Sequence, residues 1–186
     1  MHDNRITISA FERELQRYKR YGEQAMAQVE RDEDRHRQIN PLQNAIATIV
    51  QHLHGNMVSR FTDFLSSDGE KPTRDRDGEF IDRQLSRVQL MELWEQGWRC
   101  VFDALASLSD DDLARTITIR GEPHTVAMAL ARQTAHYAWH VAQIALIAKH
   151  VIGGEGWSYL TIPPGGSAAF NEKMRGRGSR DDGAKG

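Results

Sequence analysis

The chain has 186 residues, 27% of them charged and 39% hydrophobic, which is the size and composition of one globular domain. Its net charge of −2 and its pI near 6.4 give no overall attraction to nucleic acid or to an anionic membrane. The single cysteine, Cys100, excludes an internal disulfide and is expected to be a small buried residue. With no signal-peptide pattern and no apolar run of membrane-spanning length, the sequence predicts a cytoplasmic protein.

The first predicted helix is marked by apolar residues that recur every three or four positions from Ile8 to Val29. This spacing draws one stripe along a helix of about six turns, with charged residues on the other faces. The charged run from Arg31 to Arg35 is expected to fray into solvent near the end of this helix.

A second helix is predicted to begin at Asn40-Pro41, because Asn is a good N-cap and Pro fits the first helical position. Its apolar stripe continues to Phe64, and His52 borders this stripe, so His52 is expected to point inward. His54 lies only two residues away and faces another side. His52 and His54 therefore cannot both bind one ion from a regular helix.

Residues 66–78 are all polar, Gly or Pro and show no apolar period, which indicates a loop that is long for a helical domain. At about 3.3 Å per residue such a loop can span roughly 40 Å, enough to cross the whole domain. A crossover of this kind would let the second and third helices run parallel.

The third helix is predicted from Glu79 to Leu108, with Trp94 and Trp98 in its apolar stripe. The alternation in residues 116–119, followed by the turn 121–123, indicates a short hairpin that serves as a connector.

The fourth helix is predicted from Thr125 to Ile152, ended by Gly153-Gly154. It carries His136 and His140 one turn apart, so both imidazoles lie on one face and can bind one metal ion. A chain with eight His shows roughly a third of one such pair by chance, so a further ligand must support the assignment. His52 on another helix is a plausible third ligand. The alternative is that His136 and His140 are polar residues of the interior or of a dimer interface and bind no metal.

Three further expectations concern the remaining apolar residues and the C-terminal part of the chain. Trp139 is expected in the core together with Trp94 and Trp98. Residues 157–164 are expected to dock as an extended segment. Residues 1–173 then form one domain, and residues 174–186 have the composition of a disordered tail.

Five stretches of the chain form a specific pattern: His52-Leu53-His54-Gly55-Asn56-Met57, residues 59–65, residues 68–72, residues 74–77, and His136-Tyr137-Ala138-Trp139-His140-Val141-Ala142-Gln143-Ile144. With these stretches the chain resembles the DinB/YfiT superfamily of metal-binding four-helix bundles. The resemblance extends from about residue 8 to residue 173 and is stronger to a subfamily of uncharacterised bacterial DinB-like proteins related to one called YizA.

The resemblance implies an all-α, up-down-down-up four-helix bundle, often a homodimer, that holds a divalent nickel, zinc or iron ion. Carried over residue by residue, it implies the metal ligands His52, His136 and His140. Three positions depart from the subfamily pattern, namely His54, Phe61 and Ala142, and none of them removes a ligand. His54 leaves open which imidazole of the segment 52–54 binds.

Three neutral imidazoles leave a divalent ion its full charge and at least one open position, where water or a thiol is activated. The resemblance implies two reaction classes, a transferase that uses low-molecular-weight thiols or a hydrolase. The expected function is therefore a metal-dependent enzyme with a small-molecule substrate. The alternative is a non-catalytic metal-binding or dimerisation module.

Overall fold

The computed structural model describes residues 4–181, which are mostly helical with one two-stranded sheet. Of the tail that was predicted to be disordered, residues 182–186 lie outside the described part. Among the described residues, no helix combines the length and the apolar character that crossing a membrane requires. The helices are α1 (Ile6–Ala27), α2 (Asp32–Arg35), α3 (Ile46–Phe61), α4 (Arg87–Ala106), α5 (Val126–Ile152) and α6 (Ser167–Asp181). The strands are β1 (Thr116–Ile119) and β2 (Glu122–Thr125), and short 3-10 turns occur at Gly78–Phe80, Asp110–Ala114 and Gly154–Gly156.

Four long helices, α1, α3, α4 and α5, contribute to one hydrophobic core. Arg5 at the start of α1 donates to the carbonyl oxygen of Ala106 at the end of α4, over 2.8 Å, so these two helices run in opposite directions. Residues 42–44, just before α3, line a small cavity together with Gln143 and Ile147 of α5. Further along α3, His52 contacts His136, which lies earlier in α5. Helices α3 and α5 therefore also run in opposite directions.

Helices α1 and α5 run in the same direction, because their starts lie together and their ends lie together. At the starts, the Asp110 carboxylate accepts from the backbone N–H of Thr7, and the turn that carries Asp110 leads into Arg115, whose carbonyl pairs with Val126. At the ends, the Gln28 side chain makes two hydrogen bonds to the backbone of Ser158. The two hydrogen bonds between Gln28 and Ser158 confirm that the segment after α5 docks on the domain.

Helix α3 begins five residues later than predicted. The side chain of Asn40 accepts from the backbone N–H of Leu42 over 2.9 Å, which closes a local turn that competes with a helix. Leu42 is 97% exposed and no part of the core. The inward position of His52 is confirmed, since only 4% of this residue is exposed.

Helix α4 begins at Arg87, although the apolar period predicted a start at Glu79. Ser86 and Gln89 form a capping box that fixes the start. In the residues before this start, the backbone bonds to the side chain of Gln51 and not within a helix. The Gln51 side chain donates to the Ile81 carbonyl (2.7 Å) and accepts from the Arg83 backbone N–H (3.2 Å). The irregular segment between α3 and α4, residues 62–86, is thus longer than the predicted loop at 66–78.

The predicted hairpin is confirmed, and it anchors this segment. Strand β1 pairs with β2 antiparallel, joined by Arg120 and Gly121, both with the positive φ of a tight two-residue turn. The Asp68 carboxylate accepts from the backbone N–H groups of Arg120 and Gly121, each over 2.8 Å. Gly69 donates its backbone N–H to Thr118, also over 2.8 Å. These contacts fix the first half of the segment beside α3.

The predicted helix from Thr125 is confirmed as α5. Thr125 caps it by accepting from the Met128 N–H, and Gly153 at φ 84° ends it. The prediction that three Trp side chains lie in the core is confirmed for Trp94 and Trp98, which are buried. It was wrong for Trp139, which is 69% exposed. Trp139 lies outside the apolar stripe through Tyr137 and Val141, so helical geometry turns it to solvent.

Two smaller expectations also differ from the structure. The run from Arg31 to Arg35 does not fray: Arg35 is buried and donates to the backbone carbonyls of Val29 and Glu30, so α2 is held against the residues that follow α1. Cys100 is half-buried against the core. At the other end of the chain α6 extends over residues 174–181, where the composition predicts disorder, and its residues 167–175 are all exposed.

Candidate metal centre

The structure brings together the imidazoles of His52 from α3 and of His136 and His140 from α5. One ring nitrogen from each lies within 4.8 Å of the others, so the cluster could hold a metal ion. The Nε2 atoms of His52 and His136 are 3.2 Å apart. Two nitrogens bound at 2.0–2.1 Å to one tetrahedral ion are separated by about 3.3 Å, so this pair already has the spacing of two ligands.

The two helices are held in register next to the cluster. The Tyr137 hydroxyl donates to the Asn56 side-chain oxygen over 3.1 Å, and both residues are buried. Tyr137 follows His136 directly, and Asn56 lies one turn after His52. This contact therefore sets the relative height of α3 and α5 at the level where the three imidazoles meet.

Burial keeps the two imidazoles of α5 neutral. Burial first, then repulsion from His140 and His52, lowers the pKa of His136 to about 3. Burial and His52 lower the pKa of His140 to about 4. The Nδ1 atoms of His136 and His140 are buried and have no hydrogen-bond partner among residues 4–175, whose side chains the structure describes. Neutral imidazoles are suitable ligands for a divalent ion, because protons do not compete for them near pH 7.

A buried carboxylate supports the third imidazole. Glu79 Oε2 lies 2.9 Å from His52 Nδ1. Because a carboxylate only accepts, Nδ1 of His52 carries the proton and Nε2 presents a lone pair to the cluster. Metal-binding His residues generally have such an outer partner, which orients the ring and raises its basicity.

Glu79 is itself held by a bidentate ion pair. Arg74 donates through Nε to Oε1 over 2.7 Å and through Nη2 to Oε2 over 2.8 Å, and both side chains are less than a tenth exposed. Burial alone would raise the pKa of Glu79, but the hydrogen bonds from Arg74 and His52 outweigh it and hold that pKa below its usual value. Arg74 also contacts Glu70, which pairs with Arg60 of α3.

Gly55 and Phe80 shape the surroundings of this pair. A Cβ atom on Gly55 would lie 2.1 Å from Glu79 Oε1, so only glycine lets the carboxylate approach α3 this closely. Phe80 stacks on the His52 ring, with centroids 4.7 Å apart. The irregular segment thus places Glu79 at an edge of the His52 ring and Phe80 on its face.

His54 is not part of the cluster. It lies on another side of α3, where it lines a cavity with Gln51 and Arg83, and burial lowers its pKa. The roles of Glu79 and Arg74 were not predicted, because nothing in a loop rich in carboxylates singles out one of them as the partner of a His 27 residues away. The one available signal was Gly55, a helix-weakening residue inside α3.

The fold and the site together define a helical protein whose inward-facing His residues could hold a divalent ion. The family described as "Protein of unknown function (DUF1572)" matches residues 4–166, so the chain belongs to this DinB-like family. No curated protein and no solved structure matches the chain.

Proposed function

We propose that the protein is a metal-dependent enzyme of the DinB-like type, close to the YizA-related subfamily, and that His52, His136 and His140 hold its ion. The observation that carries this proposal is the convergence of three imidazoles within 4.8 Å, one of them backed by a buried carboxylate. The helix directions support an up-down-down-up four-helix bundle, with residues 62–86 crossing between α3 and α4.

A bound divalent zinc, nickel or iron ion would lower the pKa of a thiol or water at an open position and so supply a nucleophile near pH 7. The chain's residues have separate tasks in this scheme. His52 presents Nε2 because Glu79 holds its other nitrogen. Phe80 covers a face of that ring and limits the access of solvent. These groups favour a thiol S-transferase or a hydrolase acting on a small molecule.

The reaction is tested with cobalt(II)-loaded protein and three thiols in parallel: glutathione, bacillithiol and mycothiol. A thiolate that binds cobalt gives a charge-transfer band, because thiolate is a softer ligand than water. We expect the band with at least one thiol, followed by turnover of a generic electrophile that is lost in His52→Ala. If no thiol gives a band and no ester or amide is hydrolysed faster than by free metal, the enzyme proposal fails. A non-catalytic metal-binding or dimerisation module is then the better account.

We also propose a homodimer that pairs through the exposed apolar residues Leu42, Trp139 and Leu146. Leu42 and Leu146 line one shallow cavity, and Trp139 lies on the same side of α5 one turn before Gln143 of that cavity. Light scattering should give about twice the chain mass of 21.1 kDa. Trp139→Glu should reduce it to the monomer mass, whereas Val88→Glu, at a similarly exposed position of α4, should not. A monomer mass for the unaltered protein would refute this proposal.

A further inference from the structure

A cavity of about 430 Å³ lies between α3 and the irregular segment, on the side of α3 that carries His54 and Gly55. This loop cavity is separate from the cluster of three imidazoles, none of which lines it. Its volume falls within the range of pockets that bind small metabolites. Most of its lining residues are polar or charged, and their charges decide which ligand fits.

The cationic groups of the loop cavity are Lys71, Arg74 and Arg83, against the carboxylates of Asp75 and Glu79. Arg74 is matched by Glu79 in the bidentate pair. The other two cations are not matched in this way. The Lys71 ammonium donates to the backbone carbonyl of Asp68 over 2.7 Å, and among residues 4–175, whose side chains the structure describes, no ion pair joins Lys71 or Arg83 to a carboxylate.

Lys71 and Arg83 reach the loop cavity from two parts of the segment. Lys71 is held by its backbone N–H, which donates to the Ser59 hydroxyl over 3.0 Å. Arg83 is held by its backbone N–H, which donates to Gln51 of α3. Both backbones are therefore fixed to α3, while an ammonium and a guanidinium remain able to donate further hydrogen bonds.

We propose that the loop cavity binds a small oxyanion, the phosphate or carboxylate group of a metabolite, between Arg83 and Lys71. Guanidinium and ammonium groups bind both kinds of oxyanion through short, charge-assisted hydrogen bonds. His54 also lines the loop cavity from α3. This inference does not depend on the proposed metal chemistry, since its residues lie outside the three-His cluster.

The test is calorimetric titration of the full chain with inorganic phosphate and, in parallel, with citrate. The titrations use protein as purified and protein treated with a chelator, because phosphate could also bind a metal ion. We expect binding of at least one anion, with a Kd of about 1 mM or tighter, in both preparations. At about ten times this Kd the anion should raise the melting midpoint by about 3–6 °C. Phosphate binding alone, citrate binding alone, or both, identifies the oxyanion.

Arg83→Gln and Lys71→Gln should each weaken this binding about tenfold, because each removes a charge-assisted contact. The matched control is Arg13→Gln, which removes the same charge from an exposed position of α1 and should leave the Kd unchanged. Circular dichroism should show that all three variants are folded. If one glutamine variant fails to fold, the other and the anion-induced midpoint shift still decide the result.

Three results would overturn the inference. The first is the absence of both heat and a midpoint shift with about 10 mM phosphate or citrate. The second is binding that neither Arg83→Gln nor Lys71→Gln weakens. The third is phosphate binding that disappears with the chelator and in His136→Ala, which would assign the anion to the metal and not to the loop cavity.

Discussion

Helix α5 and the irregular segment 62–86 contribute to the same cluster in different ways. Helix α5 supplies two imidazoles one turn apart, positioned by the helical repeat alone. The irregular segment supplies Glu79, positioned by an ion pair to Arg74, by Gly55 of α3 and by contacts to the hairpin. The imidazoles of the cluster thus come from regular structure, whereas the carboxylate that orients one of them depends on many non-local contacts. Disturbing the segment should therefore weaken the site without removing a ligand.

The largest effect is expected from removing one partner of the buried ion pair. Arg74→Leu leaves the Glu79 carboxylate buried without its main partner and should lower the free energy of unfolding by about 3–5 kcal/mol. Denaturant unfolding measures this loss. The double variant Arg74→Leu/Glu79→Leu should recover much of it, because no uncompensated charge remains. A double variant as unstable as Arg74→Leu alone would show that the ion pair is not what fixes the segment.

The stability of the protein should depend on pH through the two imidazoles of α5. In the metal-free protein the pKa values of His136 and His140, about 3 and about 4, lie below the value of 6.5 in an unfolded chain. The unfolded chain therefore binds more protons than the folded one between about pH 3 and 6.5. Stability should fall as the pH is lowered through this window, by at most about 1.4 kcal/mol per pH unit for each group.

The double variant His136→Asn/His140→Asn should flatten this dependence, measured by denaturant unfolding at several pH values with chelator present. His150→Asn, at an exposed position near the end of the same helix, is the control and should keep the slope of the unaltered protein. An unchanged slope in the double variant would contradict the assignment of the pH dependence to the cluster.

Gly55→Ala tests the segment without changing any charge. The added methyl group collides with Glu79 Oε1 and should displace the carboxylate from His52. Metal affinity should fall about 10–100-fold, the usual effect of losing an outer partner. Glu79→Gln should give a similar loss in a metal-competition titration. Gly156→Ala, at a glycine outside the cluster, is the control; equal losses in both glycine variants would argue against a specific role for Gly55.

The smallest effect is expected at the hairpin. Asp68→Asn weakens the contacts to Glu70, Arg120 and Gly121 and should lower the free energy of unfolding by about 1 kcal/mol. These backbone hydrogen bonds lower the pKa of Asp68 to about 2, so the carboxylate stabilises the fold above about pH 4 and loses this effect toward pH 2. The difference between the two proteins should therefore become smaller in acid. Thermal unfolding at pH 7 and pH 2.5 measures it, and a constant difference would contradict this account.

The same two regions explain what the sequence could predict. The apolar period, Thr125 and Gly153 predicted α5 almost to its ends, and helical spacing predicted that His136 and His140 share a face. The Ser86–Gln89 capping box was a local signal for the start of α4 at Arg87. The inward turn of Glu79 could not be predicted, because it depends on the side chain of Gln51 binding the backbone of another segment. Periodicity describes the order within one element and contains no information on such contacts between elements.

Metal analysis of untagged protein purified without chelator decides whether His52, His136 and His140 form one metal site. We expect about one divalent ion per chain. The ion should be lost in His136→Ala and in His140→Ala, and it should be retained in His54→Ala, whose side chain lies outside the cluster. Full occupancy in the His136→Ala protein would contradict this assignment.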